Sequence, residues 1–218
     1  MKYIIKQSEP QELTALRESA SEDWQPTFED LQRIPKEAVH ASLLAEQGYI
    51  CCYCNMRISA DSSHIEHFKP RSKFPEAELE YENLLASCQL ETQRREPRRC
   101  GMKKRAWFHR TLLISPLQED CESRFRFAAD GAIYPANDND QAARETILRL
   151  GLDNDELVRR RVEAIDAVFV DMDKFEHGEI RRLIDAFHQR DENGRFEPFC
   201  SAITYILQDY LGYESSGR

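Results

Sequence analysis

Between residues 51 and 100 the chain carries, in order, Cys51-Cys52-Tyr53-Cys54, His64-Ile65-Glu66-His67, Tyr81-Glu82-Asn83-Leu84-Leu85, Cys88 and Cys100. Zn²⁺ takes four thiolate or imidazole ligands in a tetrahedron, and a C-x-x-C turn puts two sulfurs on one ion. Cys51 and Cys54 have that spacing, and Cys52 between them points away. Cys88 and Cys100 complete a structural four-cysteine site, with His109 the alternative to Cys100. The H-x-E-H segment offers different chemistry. Hydrolysing a phosphodiester needs a base to take a proton from water and a cation to offset charge on the leaving oxygen. Histidine titrates nearest neutrality, and glutamate is a hard oxygen ligand suited to Mg²⁺ or Mn²⁺. His64, Glu66 and His67 can supply both functions.

The elements around this cluster follow from its flanks. In residues 1–48, Phe28, Leu31 and Ile34 fall at helical spacing before Pro35, and Val39, Leu43 and Leu44 continue after it. Pro35 starts a new helix or kinks the old one. Residues 49–110 hold five of the seven Cys and three of the six His, with short, broken periodicity that suits small strands and loops around a metal. Residues 111–218 open with a hairpin, 124–128 against 132–135, turned by Asp130-Gly131. Helices follow at 141–150, stopped by Gly151, and from a cap at Asp153 paired with Glu156. That helix carries Val158, Val162, Ile165, Phe169 and Met172 on one face. Two more fit 179–188 and 199–211, leaving a frayed tail from Glu214. Cys121 and Cys200 read as core residues, and His177 and His188 as surface or capping residues. The expected class is α+β: mainly helical, with small strands at a central metal unit.

At 218 residues, 41% hydrophobic and 32% charged, the chain is an ordinary globular protein rather than a fibrous or disordered one. No apolar run approaches a membrane span, and the opening MKYIIKQSEPQEL does not read as a signal peptide. The expected location is therefore the cytoplasm, where clustered thiols mean metal or catalysis more often than disulfides. The net charge of −9 argues against a nucleic-acid partner until it is divided. Residues 1–48 carry −4, residues 49–110 carry +4 and residues 111–218 carry −9. Residues 94–110 (RREPRRCGMKKRAWFHR) hold eight basic side chains and one Glu. Phosphates respond to such a local field, since charges screen over about 8 Å at physiological salt. Lys69, Arg71, Lys103, Lys104 and Arg105 are the expected nucleic-acid contacts.

The order C-x-x-C, Glu-His, Asn-Leu-x-x-x-Cys, then Cys near Lys resembles the zinc-type HNH endonucleases. The resemblance implies a ββα-metal unit of two short strands and a helix. It implies that His67 is the general base, Glu66 the acidic metal ligand and Asn83 the central Asn that orders the connecting loop. The family's usual acid is Asp, and Asn or His usually follows the last Cys, where this chain has Gly101. His64, or another residue between Cys88 and His109, then supplies the missing ligand. Side chains alternate along a strand, so Glu66 and His67 share one site only if the strand bends or ends there. Pro70 is consistent with a strand that stops soon after.

HIEHFKPRS, YENLLASC, the late Cys-Gly and the ILRLGLD segment are together similar to the PtuB-like HNH nucleases of Septu-type anti-phage systems, which also occur beside retrons. That similarity implies a nuclease acting on invader DNA, held in check by a PtuA-like ATPase of the SMC/ABC kind, with a retron reverse transcriptase and its RNA/DNA as a further partner. It implies structural Zn²⁺ and catalytic Mg²⁺ or Mn²⁺. Two alternatives stay open: a non-catalytic zinc module that binds nucleic acid or protein, and an HNH nuclease acting on RNA. The carboxylate of Glu66 speaks against the first, since a mere binding module has no use for a group that repels phosphate.

Overall fold

The computed structural model describes residues 1–89, 98–170 and 172–216, so the first four residues of the basic run, 94–97, lie outside the described residues. Two helices open the chain, α1 (Gln11–Glu18) and α2 (Arg33–Glu46), with a single 3₁₀ turn at Phe28–Asp30 between them. Pro35 sits in the first turn of α2, where a missing N–H costs nothing. Phe28 and Leu31 are buried, but Ile34 is 73% exposed, because the chain breaks between them and the helical spacing does not carry through.

Strand β1 (Ser63–His67) pairs antiparallel with β2 (Leu84–Cys88), in the register His64 to Ser87, Glu66 to Leu85 and His67 to Leu84. A short helix, α3 (Cys100–Lys104), packs on β2. The expected hairpin forms as β3 (Phe125–Phe127) and β4 (Ile133–Pro135), and Gly131 takes the positive φ of 78° that its turn requires. Then come α4 (Gln141–Leu150), α5 (Asp155–Phe169), α6 (His177–His188) and α7 (Cys200–Ser216). The architecture is α+β, helical around two small sheets.

Gly151 closes α4 in the left-handed conformation, as its type and place require. The cap of α5 lies one residue later than expected: Asn154, not Asp153, accepts from the Leu157 amide. The buried stripe of α5 is accordingly Leu157, Arg161 and Ile165, with Val158 and Val162 beside it rather than at its centre. Arg161 is buried because its guanidinium donates to the carbonyls of Gly131 and Leu152, each at 2.7 Å, which ties the hairpin turn to the α4–α5 turn. Helix α7 continues through Ser216 past the expected fray point. Side chains from all three stretches of the sequence, among them Leu13, Leu43, Leu84, Leu113, Leu150 and Leu207, share one buried cluster.

The helical frame reaches the cysteine-rich stretch through α2. Gln47 donates to the carbonyls of Ile50 and Ala86 and accepts from the Ala86 amide at 2.7 Å, so it splices the helix end to β2. Glu46 is buried beside it, held by Lys6 at 2.5 Å and by the Tyr81 hydroxyl at 3.0 Å. Among the described residues no helix is long and apolar enough to cross a membrane.

Candidate active site and thiolate cluster

The sulfurs of Cys51, Cys54, Cys88 and Cys100 lie within 4.8 Å of one another, and all four residues are buried. The chain folds this way locally because residues 51–56 form a tight knuckle: the Cys51 amide bonds to the Met56 carbonyl at 2.9 Å, and Asn55 takes a positive φ of 61°. Strand β2 delivers Cys88, whose amide donates to the Cys51 sulfur at 3.3 Å, and Cys100 is the first residue of α3. Burial pushes the Cys51 thiol up, but hydrogen bonds from Cys100, Cys52, Cys54 and Cys88 outweigh it and hold the group well below the ordinary thiol range. Four buried cysteine sulfurs this close, one of them already biased toward thiolate, form the donor set that structural Zn²⁺ sites use, and this cluster can hold one. His109 is exposed, its Nδ1 engaged with Thr111, so Cys100 and not His109 is the residue brought to the cluster.

One strand carries the second site. His64 and Glu66 project from the same face of β1, with His64 Nε2 3.5 Å from Glu66 Oε2. The other imidazole nitrogen, Nδ1, is 2.7 Å from the Gln89 carbonyl. A carbonyl only accepts, so Nδ1 carries a proton and, in the neutral ring, Nε2 keeps its lone pair turned toward Glu66. Burial works against a second proton on His64, but Glu66 and the Gln89 carbonyl outweigh it and raise the pKa. The neutral form, with Nε2 free, is the one that can bind a cation. The Glu66 carboxylate is asymmetric: Oε1 receives Lys104 Nζ at 2.9 Å and the Tyr53 hydroxyl at 3.3 Å, and Oε2 faces His64. Burial drives the Glu66 carboxyl up, but His64 and Lys104 overcome it and leave the group below the ordinary carboxylate value.

Gly101 makes room for this pair. A Cβ at position 101 would come within 2.4 Å of Glu66 Oε2 and 2.9 Å of His64 Nε2. The space that a side chain on α3 would fill is taken by two side chains from β1. A nitrogen lone pair and a carboxylate oxygen converging on that cradle fit a divalent cation.

Strand β1 ends at His67, which resolves the alternation problem: Glu66 and His67 both line one open cleft of about 480 Å³, with Ile65, Pro70, Arg71, Ser72, Arg105 and Ala106. His67 Nε2 lies 3.0 Å from the Glu78 carbonyl, so by the same argument Nε2 is protonated and Nδ1 is basic. The ring stands edge-to-face on Phe28, centroids 4.5 Å apart. Burial, with the cations of Arg71 and Lys104 nearby, lowers the His67 pKa to about 4. Asn83 does not line the cleft. Its side chain accepts from the Lys69 amide at 2.7 Å and donates to the carbonyls of Lys69 and Ala77, and so bridges the loop between β1 and β2.

Among the described residues the basic side chains do not form a continuous stripe. Lys104, expected at a phosphate, is buried, because its ammonium is drawn inward by Glu66 and by the His67 carbonyl at 3.0 Å. Arg99 is buried too. Arg105 is exposed at the cleft, Lys69 and Lys103 are exposed, and Arg71 lines the cleft while pairing with Glu29 at 2.7 Å. Three participants went unmarked in sequence: Phe28, Tyr53 and the carbonyl of Glu78. The position of Tyr53 inside the C-x-x-C turn was visible, but only folding shows that its hydroxyl reaches Glu66; a backbone carbonyl leaves no sequence signal at all.

No family model matches the chain. Among curated proteins it is similar to the "Retron Vc95 putative HNH endonuclease" of Vibrio cholerae serotype O1 biovar El Tor, with 30% identity over 146 residues, 64% of this chain and 67% of the relative. An identity of that size across two thirds of the relative's length is the relationship of family members, and the chain belongs to the HNH endonuclease family.

Proposed function

We propose that the protein is a metal-dependent endonuclease that hydrolyses phosphodiester bonds of invader DNA, as the effector subunit of an anti-phage defence complex. The observation that carries this reading is the shared cleft: His67, its Nε2 fixed by the Glu78 carbonyl and its Nδ1 basic, and the Glu66 carboxylate line the same surface, flanked by arginine. In this reading β1, β2 and α3 are the ββα-metal unit, and the four cysteines hold a structural Zn²⁺ that pins α3 to β2. Glu66 Oε2 and His64 Nε2 are the ligands of a catalytic Mg²⁺ or Mn²⁺. When bound there, such an ion offsets the charge that develops on the departing 3′-oxygen.

The protein's own groups do the rest. His67 accepts the proton of the attacking water at Nδ1, while its Nε2–H, fixed by the Glu78 carbonyl, sets the ring's direction. A pKa of about 4 keeps His67 unprotonated throughout the physiological range. Phe28 walls the ring against rotation. Asn83 holds the loop that follows the base. Arg71 and Arg105 bind phosphate at the cleft, with Lys69 and Lys103 extending the contact across the surface.

The defence role rests on the similarity to a relative whose name places it in a retron. A PtuA-like ATPase, and a reverse transcriptase with its RNA/DNA, are the proposed partners in the cytoplasm. The acidic flanks support a partner that supplies basic surface, since an isolated chain of net charge −9 is poorly suited to bind DNA. Nicking of plasmid DNA with and without EDTA, by the native protein and by His67→Ala with the partner present, tests the reading. Removing a positioned base costs about 10²–10⁴ in rate, so His67→Ala should nearly abolish cutting. Equal cleavage by the two proteins would eliminate the assigned base, and cleavage that survives EDTA would eliminate the metal.

A further inference from the structure

The least expected group at the site is Lys104. Its ammonium has three N–H donors and three acceptors around it: Glu66 Oε1 at 2.9 Å, the His67 carbonyl at 3.0 Å and the Arg105 carbonyl at 3.4 Å. The side chain is 1% exposed, so its charge is screened by almost no water and acts at close range. Lys104 therefore serves as the fixed counter-ion of Glu66. His64 adds no negative charge in either protonation state, so the pair Glu66–Lys104 leaves no net negative charge at the site before any cation arrives. The other charged groups on the cleft among the described residues, Arg71 and Arg105, are both cationic, and Arg71 pairs with Glu29. A divalent ion entering this site brings two positive charges that, among the described residues lining the cleft, no side chain is left to neutralise.

A phosphodiester is the group that would neutralise them. We infer that Lys104 makes cation loading at Glu66 and His64 depend on bound nucleic-acid phosphate, so that the free protein holds its catalytic metal weakly and the protein–DNA complex holds it tightly. The inference rests on the reading of Glu66 and His64 as the cation ligands. Its consequence is reciprocal: by linkage, the cation strengthens DNA binding by the same factor. A nuclease built this way is unloaded when idle and assembles its active site on its substrate.

The test uses the full-length His67→Ala protein, which binds without cutting, and reads Mn²⁺ affinity by electron paramagnetic resonance with and without a short duplex DNA. The expected result is tightening by about tenfold or more when DNA is present, within the usual range of couplings between sites. Lys104→Met and Lys104→Gln, made in the same background, should tighten Mn²⁺ binding in the absence of DNA and bring the two affinities together. Lys104→Gln retains N–H donors without the charge, so it separates loss of charge from loss of the bracket; zinc content and melting temperature report whether each variant folds. Equal affinities with and without DNA in the protein that keeps Lys104 would overturn the inference, as would an undiminished DNA dependence in a folded Lys104 variant. DNA-independent Mn²⁺ binding in a protein that still cuts DNA would sink this inference alone. Affinities unchanged by Glu66→Gln under either condition would instead sink the assignment of the metal site.

Discussion

Replacing Gly101 by alanine tests the packing of the proposed site with a single methyl group. In an ordinary helix the change stabilises, by about 1 kcal/mol of helix propensity. Here the new Cβ would lie 2.4 Å from Glu66 Oε2, so the carboxylate must retreat by about 1 Å to reach ordinary contact at 3.4 Å. A side-chain tip could normally swing aside, but Lys104 at 2.9 Å and Tyr53 at 3.3 Å hold this one on its far oxygen. A shift of that size breaks or badly bends the buried ion pair. Complete loss of one partner of such a pair costs about 3–5 kcal/mol, and a displaced pair loses part of that. Set against the helix gain, the net expected loss is about 1–3 kcal/mol. A chain of this length loses roughly 2–4 °C of melting temperature per kcal/mol. Gly178, in the first turn of α6, is the internal control, since a Cβ there meets nothing within 4 Å and the same substitution should stabilise slightly. Calorimetric melting of the two variants with zinc content matched to the native protein decides the matter. Cleavage by Gly101→Ala should also fall about 10²-fold, the usual cost of misplacing a reacting group by 1 Å. A Gly101→Ala protein that melts as high as Gly178→Ala and cuts normally would refute the claim that Glu66 and His64 occupy the space beside Gly101.

Cys54→Ser should release about one zinc per chain and unfold the segment around β1 and β2, since a structural zinc contributes on the order of 10–16 kcal/mol in small peptides; metal analysis of native protein that finds no zinc would contradict it. His67 has a folded pKa of about 4 against 6.5 when unfolded, so its contribution to stability is complete above pH 6.5 and is lost as pH falls toward 4, because the unfolded chain takes the proton first. Melting temperature should consequently fall more steeply from pH 7 to pH 5 in the native protein than in His67→Ala, and parallel slopes would disprove the shift. Cleavage should persist at pH 5.5, where a histidine of ordinary pKa is largely protonated. Neutralising Lys103 or Arg105 should weaken DNA binding across all sequences and reduce its salt dependence by about one unit of log slope for each phosphate left without its cation, read from binding titrations at several salt concentrations.

The four-cysteine cluster was legible in the sequence because metal sites are written in residue type and spacing. A C-x-x-C turn can only present two sulfurs to one side, and so Cys51 and Cys54 could be paired on spacing alone, with Cys88 and Cys100 as the remaining thiols of the same stretch. The hairpin at Asp130-Gly131 and the stop at Gly151 were equally local, since each depends on a positive φ that glycine adopts without strain. What the sequence could not carry were the contacts made between distant segments. Lys104 reads as one more cation in a basic run, and only the approach of α3 to β1 turns its ammonium inward to Glu66. The gap at Gly101 reads as a lost ligand, whereas the fold fills that same space with His64 and Glu66. Phe28, some forty residues upstream, becomes the wall of His67 because the turn before α2 packs against the end of β1. Spacing encodes the geometry of neighbours along the chain; burial, charge partners and the direction of a free lone pair are set by whatever the rest of the chain brings alongside, and those decided which side chains meet at the cleft.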